Sequence, residues 1–463
     1  MSVPVATRPD ARSLPVTRPR GRTAFLLPLP VAAAVGLEAG ASPQATLTVV
    51  AAAVSAVVLV ARVEWAALAV VATGVFEGYL DLVSPWATDW LAAVLLVSWA
   101  VRRAQGPLHP HRVVALGVPV AALGLALGAA FVAHPLGSDG ARTCATYAEL
   151  ALVALVLADV LCGPLDPRRA ARLYVLSCVA ASVCGIVTAV LTERHRVVGP
   201  VESVDTMAFF LVAALPLVGT LRTRPDQRAW RVWTCLAVIV VAGVGTQSRA
   251  AFVALVVMVV LAVLTGALAL RHAGALLALV TTGVALVVAV LPVSVSEVLA
   301  DPHRYSDSNI AERNDVRRAA LEMTRAAPVL GLGPGSFALF HQDYRHDGDG
   351  LGERELDTAY STLLESSAEL GVLGTAALYA GWLVPAVGAH RRRRRHRSQL
   401  TSAVLLALAG LLTASLLESE QFVLPLWFVA AMALAVGRPP LPRRPLFAVE
   451  PGEGSSGQVG PRS

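Results

Sequence analysis

The sequence predicts an all-α fold: a polytopic transmembrane helical bundle of about 12–14 spans, with one large extracytoplasmic loop containing short helices. Three observations predict it. The 463 residues are 56% hydrophobic and only 15% charged, with a mean hydropathy of +0.64, which is too little charge to cover a soluble domain of that size. The apolar residues arrive in blocks of about 17–22, the length a helix needs to cross a hydrocarbon core of roughly 30 Å. Leu, Val and Ala fill those blocks on all sides, which suits lipid and neighbouring helices rather than a solvated face. The competing architecture is a bundle of buried helices in one large soluble protein, and the low charge disfavours it.

Residues 1–23 are polar and Pro-rich, carry Arg8, Arg12, Arg18, Arg20 and Arg22, and read as a disordered cytoplasmic tail with no evident cleavable signal peptide. An N-terminal transmembrane region follows at 24–294, with about eleven spans. These lie near 24–40, 44–61, 65–82, 87–101, 113–133, 144–162, 172–191, 206–221, 231–247, 250–268 and 274–294. Residues 295–371 form the extracytoplasmic loop. A C-terminal transmembrane region, 372–437, adds about three spans, near 372–389, 400–417 and 422–437. The Pro-, Gly- and Ser-rich segment 438–463 reads as a second disordered cytoplasmic tail.

The net charge of +6 comes from arginine alone, for the chain has no lysine. Alternating the spans from a cytoplasmic N-terminus puts Arg62, Arg102, Arg103, Arg112, Arg168, Arg169 and Arg172 on the inner side. Arg222, Arg224, Arg228, Arg231, Arg271, the run 391–395 and Arg438, Arg443 and Arg444 fall there too. Basic connectors gathered on one side are what the positive-inside rule requires, so the expected location is the plasma (inner) membrane. The five arginines at 391–395 also invite a nucleic-acid reading; directly after an apolar span they read as a topology anchor, and membrane lipids rather than nucleic acid are the expected partner. Cys144, Cys162, Cys178, Cys184 and Cys235 lie in or beside apolar segments without metal-ligand spacing, as small buried hydrophobes do.

The opposite side has short connectors and one long exception, and long loops on a membrane domain usually carry function. Within it, 312–327 (ERNDVRRAALEMTRAA) repeats Ala, Leu and Met at helical spacing. Pro328 and the glycines of GLGPG (331–335) end that helix in a tight turn. A second helix is expected to begin near Asp357–Thr358 and to run to Gly371.

Here the sequence resembles a known family. ERNDVRRAALEMTRAAPVLGLGPGSF (312–337), followed by YSTLLESSAELGVLG (360–374), resembles the O-antigen ligase and polymerase superfamily, with TQSRAAFVAL (246–255) as a supporting piece. The resemblance covers roughly 200–390 at motif level. It implies an integral membrane glycosyltransferase that needs no metal or other cofactor. Its donor is a polyprenyl-diphosphate-linked glycan, its acceptor a hydroxyl of a glycan or lipid, and its site extracytoplasmic. The sequence departs from the family at one position: counting back from Gly371 and Gly374, the usual His is Tyr360, with Ser361 in the Asn/Ser place. A phenol with a pKa near 10 is a poor general base.

Such chemistry needs guanidinium forks for the leaving diphosphate and a positioned proton acceptor for the acceptor hydroxyl. Arg249 and Arg313 match the family's diphosphate-side arginines. Arg249 opens a span on the side where positive charge is rare; an arginine snorkelling to a lipid headgroup is the alternative. Arg317 or Arg318 shares the role on the loop helix, and Arg194 and Arg196, beside His195, are further outward arginines. Ser361, Glu365 and Glu369 recur every four residues and share a face, either toward a cavity or as the solvated side of an interfacial helix. Glu365 is the candidate base; Tyr360, His341 and His346 are the rivals. The HQDYRHDGD run (341–349) fits no standard metal spacing and reads as a mobile flap. Gly333 and Gly335 present amides to a phosphate or act as a hinge. Glu418 and Glu420 end the penultimate span, where they help line an acceptor cleft; Glu149 and Asp159 lie deeper in their span, with no role evident. A transporter or flippase for lipid-linked sugars or small solutes, and a family member that binds without catalysing, are the competing functions. Transporters usually show internal repeats and intramembrane charges, whereas the polar residues here gather in one loop.

Overall fold

A computed structural model describes residues 58–84, 86–105, 114–201, 203–222, 229–290, 302–345, 358–396 and 398–437. Both expected tails, the span at 24–40, most of that at 44–61, and His346 lie outside the described residues. Residues to Ala61 form a unit of their own, of which 58–61 are described and helical.

From Arg62 onward the described chain is helical without a strand. The helices are α1 (Val63–Asp81, with a 3-10 turn at Gly74–Phe76), α2 (Ala87–Gln105), α3 (Val114–Ala133) and α4 (Gly137–Cys162). There follow α5 (Pro167–Leu191), α6 (Val204–Leu217), α7 (Ala229–Thr246), α8 (Arg249–Leu264) and α9 (Leu270–Val290). The loop supplies α10 (Pro302–Ala326) and the short α11 (Ser336–Phe340). Then come α12 (Thr362–Arg395), α13 (Gln399–Ser415) and α14 (Leu424–Val436). Seven are long and apolar enough to cross a membrane, and α7, α8, α13 and α14 are shorter apolar helices.

Local chemistry sets many of the starts. Asp166 caps α5 through Arg168 N with Pro167 in the first turn, while Ser203, Ser248 and Ser398 cap α6, α8 and α13. α14 is apolar all round and buried along its length, with α4, α6, α12 and α13 packed on it. Large side chains meet there: Trp382 and Trp427 edge to face at 5.7 Å, and Tyr174 stacked on Phe428 at 5.1 Å. Outward residues such as Leu125, Val132, Leu191 and Leu264 are apolar yet exposed, as lipid-facing positions are.

The connectors gather at two ends. At one, Arg102 pairs with Glu64 at 3.1 Å, Arg172 Nε donates to Thr220 O at 2.7 Å, and Arg393 Nη2 donates to Thr265 O at 2.9 Å. Asp159, deep in α4 by sequence, also belongs there: it accepts from Trp99 Nε1 at 2.9 Å and from Arg103. At the other end lie α10, α11 and the connectors before α4, α6, α8 and α14.

α12 differs from the expected helix in both bounds. It starts at Thr362, and the described residues 358–361 before it are not helical, with Tyr360 at φ 48° and Ser361 extended; Asp357 lies outside the described residues. It also runs on past Gly371, which breaks it with φ 64° and ψ −169° into a short loop helix and a span. A Cβ on Gly371 would overlap the Val329 carbonyl, and one on Gly331 the Glu369 backbone, so only glycine allows this crossing. Val372 N donates to Pro328 O at 2.9 Å and Leu332 N to Ala368 O at 2.9 Å, locking the GLGPG turn to the break.

Candidate functional site

α10 carries two of the candidate arginines, Arg313 and Arg317. Helical spacing turns Arg313 and Arg317 to one face and leaves Arg318 exposed, which resolves the sequence alternative in favour of Arg317 as the inward neighbour. Arg313 Nη1 pairs with Glu418 Oε1 at 2.6 Å, and its guanidinium lies 4.2 Å from the Tyr360 ring centroid. Such a cation–π contact is worth about 0.5–2 kcal/mol. Tyr360 thus sits against the arginine that the resemblance assigns to the diphosphate. Arg317 Nη2 donates to Tyr360 O at 2.9 Å and Leu417 O at 3.2 Å, while its buried Nε has no acceptor. Burial and the adjacent Arg313 charge push the Arg317 pKa down, with Glu418 opposing them. Two neighbouring guanidinium groups, one with an unpartnered buried Nε, offer donors to an anion in a cluster that also holds the carboxylates Glu418, Asp205 and Glu420.

The connector between α13 and α14 is stapled to the first turn of α12. Thr362 N and Oγ1 both donate to Glu418 O, at 3.2 and 3.1 Å; Glu420 N donates to Thr362 Oγ1 at 3.1 Å; and Ser361 N donates to Ser419 Oγ at 3.0 Å. This places Glu418, only 4% exposed, under Arg313. Burial pushes its pKa up, as does the Asp205 charge, while Arg313 and Arg317 pull it down. Glu420 accepts from Thr206 Oγ1 at the start of α6. Burial raises its pKa to about 8, with Asp205, Glu418 and Glu365 adding to the shift against the Thr206 bond.

Glu365 and Glu369 face the protein interior, 5% and 4% exposed, so the solvated interfacial helix is not what forms. Glu365 accepts from Gln421 Nε2 at 2.5 Å and Ala359 N at 2.9 Å, a fully engaged carboxylate that shapes the turn carrying Tyr360. Glu369 Oε1 accepts from Phe337 N at 3.3 Å, and its Oε2 has no partner. Gly333 N donates to Glu369 O at 3.0 Å, and a Cβ on Gly333 would come within 2.8 Å of His134 O. Gly335 is left-handed at φ 79°, tight against Thr143. These glycines lock loop to helix, and the Gly333 amide is already committed.

His341 is 1% exposed, with Nδ1 3.1 Å from Phe337 O and its ring stacked on Phe337 at 5.4 Å. It anchors the flap. Arg345 Nε bonds Asp315 Oδ2 at 2.7 Å, tying the described part of this run, 341–345, to α10. Between flap and the α3–α4 connector opens a groove of about 640 Å³, lined by His134, Leu332, Phe340, Asp343 and Tyr344 among others.

The remaining candidates sit elsewhere on this end. Arg196 Nε and Nη2 donate to Thr246 O at 2.9 Å and Gln247 O at 3.4 Å, the carbonyls where α7 stops. Arg194 is exposed. Arg249, also exposed, starts α8 and makes no ion pair among the described residues. The structure therefore unites Arg313, Arg317, Tyr360, Ser361 and Glu365 with Glu418 and Glu420, and leaves Arg194 and Arg249 apart from their hydrogen bonds. Sequence reasoning missed Gln421, Thr206 and Asp205. Ser203 four residues before Met207 was readable as a helix cap, but nothing local shows that α6 begins beside Glu420.

Fold and site together define a helical membrane protein with an arginine–carboxylate centre beneath a loop helix. Residues 234–379, which hold α7 to α11 and much of α12, match the O-antigen ligase family, and the match supports the O-antigen ligase superfamily. It supports membrane glycosyl transfer of the ligase or polymerase kind in general. No curated protein matches the chain.

Proposed function

We propose that the chain transfers or polymerises glycan from a polyprenyl-diphosphate-linked donor onto an acceptor hydroxyl at the extracytoplasmic face of the plasma membrane. The observation that carries this reading is the pair Arg313 and Arg317, side by side on the loop helix with a buried Arg317 Nε left without an acceptor, inside the family-matched stretch. A departing diphosphate develops negative charge that guanidinium forks stabilise, without a metal being required. The basic connectors at the opposite end support the sidedness, since arginines favour the cytoplasmic face. The groove beside His134 and Tyr344 suits a glycan acceptor, with aromatic faces and a carboxylate within it.

The test is the surface polysaccharide of a deletion strain complemented with wild type, Arg313→Ala or Arg249→Ala. The reading expects chains to shorten or vanish without the gene, and Arg313→Ala not to rescue them. Single units without chains indicate a polymerase; complete chains lacking only their final anchor indicate a ligase. Full rescue by both variants overturns the reading and favours a transporter of lipid-linked sugars.

A further inference from the structure

With Tyr360 rather than a His against Arg313, the reaction still needs a group to receive the acceptor's proton. We propose that Glu418 is that group, and that its ion pair with Arg313 masks it until the donor's diphosphate draws the guanidinium away. The inference rests on the donor reading above and names the base within that same site.

Among the nearby described carboxylates, Glu418 is the one placed against the arginine on the diphosphate side. Tyr360 is a phenol whose ring is already used as a platform for Arg313. The two oxygens of Glu365 are taken by Gln421 Nε2 and Ala359 N. Both oxygens of Glu420 face Thr206 Oγ1. Glu369 points to the α11 backbone, and His341 is bonded to Phe337 O inside the flap. Glu418 alone among these carboxylates touches a guanidinium.

Its surroundings fit the task. Thr362 grips the Glu418 carbonyl with both its N–H and its hydroxyl, so the backbone is fixed whatever the side chain does. Arg313 and Arg317 face the carboxylate from α10, Asp205 from the start of α6, and Glu420 from its own connector. Burial raises its pKa, bringing it closer to that of a working general base. Arg313 lies over the Tyr360 ring at 4.2 Å, a cation–π contact that does not engage its N–H donors.

The step balances. The acceptor oxygen bonds to the anomeric carbon as the bond from that carbon to the phosphate oxygen breaks, and the electron pair leaves with the diphosphate. Arg313 and Arg317 take up the new negative charge. The hydroxyl proton passes to Glu418, which becomes neutral once Arg313 has turned to the diphosphate. Donor binding thereby uncovers the base, and Glu418 itself is not free before the donor arrives.

The full chain in nanodiscs is tested for binding of undecaprenyl diphosphate, and the same variants are tested for chain building in the deletion strain. Glu418→Gln is expected to bind several-fold tighter than wild type, because Arg313 loses its competitor, yet to lower chain building on the order of 100-fold or more. Glu418→Asp is expected to restore part of it. Chain building by Glu418→Gln within twofold of wild type, or binding weakened as much as in Arg313→Ala, overturns the proposal while leaving the donor reading intact. Unchanged binding and chain building in Arg313→Ala instead sinks the donor reading itself.

Discussion

The two ends of the bundle both hold arginines, and they use them differently. At the arginine-rich end, Arg102 and Glu64 are 51% and 27% exposed in their side chains, and Arg169 lies over Trp65 at 5.2 Å. Arg172 and Arg393 cap carbonyls where neighbouring helices stop. Those charges act by number and side, so any one of them is dispensable. At the loop end Arg313 and Arg317 act by position: one faces a carboxylate that is 4% exposed, the other has a buried Nε without an acceptor. A topology anchor tolerates solvent around it, whereas a site pays for desolvated charge in order to have it aimed.

The largest contrast is expected from glycines. Gly371→Ala places a Cβ into the Val329 carbonyl at a positive φ, whereas Gly388, near the arginine-rich end of the same helix, has nothing within 4 Å of such an atom. Gly371→Ala should cost about 3 kcal/mol or more and abolish folded protein and chain building, while Gly388→Ala leaves both within error. Membrane-fraction yield and thermal unfolding in detergent check this. Equal yields would mean that the loop clamp does not control the fold.

Next in size is charge. Arg313→Ala should lower chain building on the order of 100-fold, the scale of losing one donor to a developing anion, while Arg394→Ala changes it less than twofold. Similar losses at both ends would erase the distinction drawn between them.

These contrasts also show what a sequence holds and what it withholds. The spans were legible because each is an apolar block bounded by arginine, Pro or Gly: those expected at 113–133, 172–191 and 400–417 occur as Val114–Ala133, Pro167–Leu191 and Gln399–Ser415. The loop helix with Arg313, and the polar stripe of Ser361, Glu365 and Glu369, were legible for the same reason: periodicity defines a face. It does not say what lies opposite. Gln421 meets Glu365 across 56 positions and Glu418 meets Arg313 across 105, separations that no local pattern encodes. His341, two residues before Asp343, reads as a rival base, but stacking on Phe337 of the preceding α11 turns it inward. The left-handed backbone at Tyr360, which starts α12 late, is set by the Glu365 and Ser419 bonds around it rather than by its own residue type.

The smallest predicted effect is on stability and its pH dependence. Glu420 has a folded pKa of about 8, above its unfolded value, so its contribution to stability is complete below the unfolded pKa. That contribution is lost as pH rises through about 8. Glu420→Gln removes the loss, and its Tm should exceed the wild-type value by about 1–3 °C at pH 9, with little difference at pH 5. A gap that is the same at both pH values would place the Glu420 carboxylate in water rather than under Thr206.

The central claim is that the loop end, through Arg313, acts on a lipid-linked glycan. Its most direct test is the amount of polyprenyl-diphosphate-linked glycan in membranes of cells whose chain carries Arg313→Ala, compared with Arg394→Ala. Accumulation of donor with Arg313→Ala alone, at equal protein levels, is the predicted result. Donor at wild-type levels in both strains would contradict the claim.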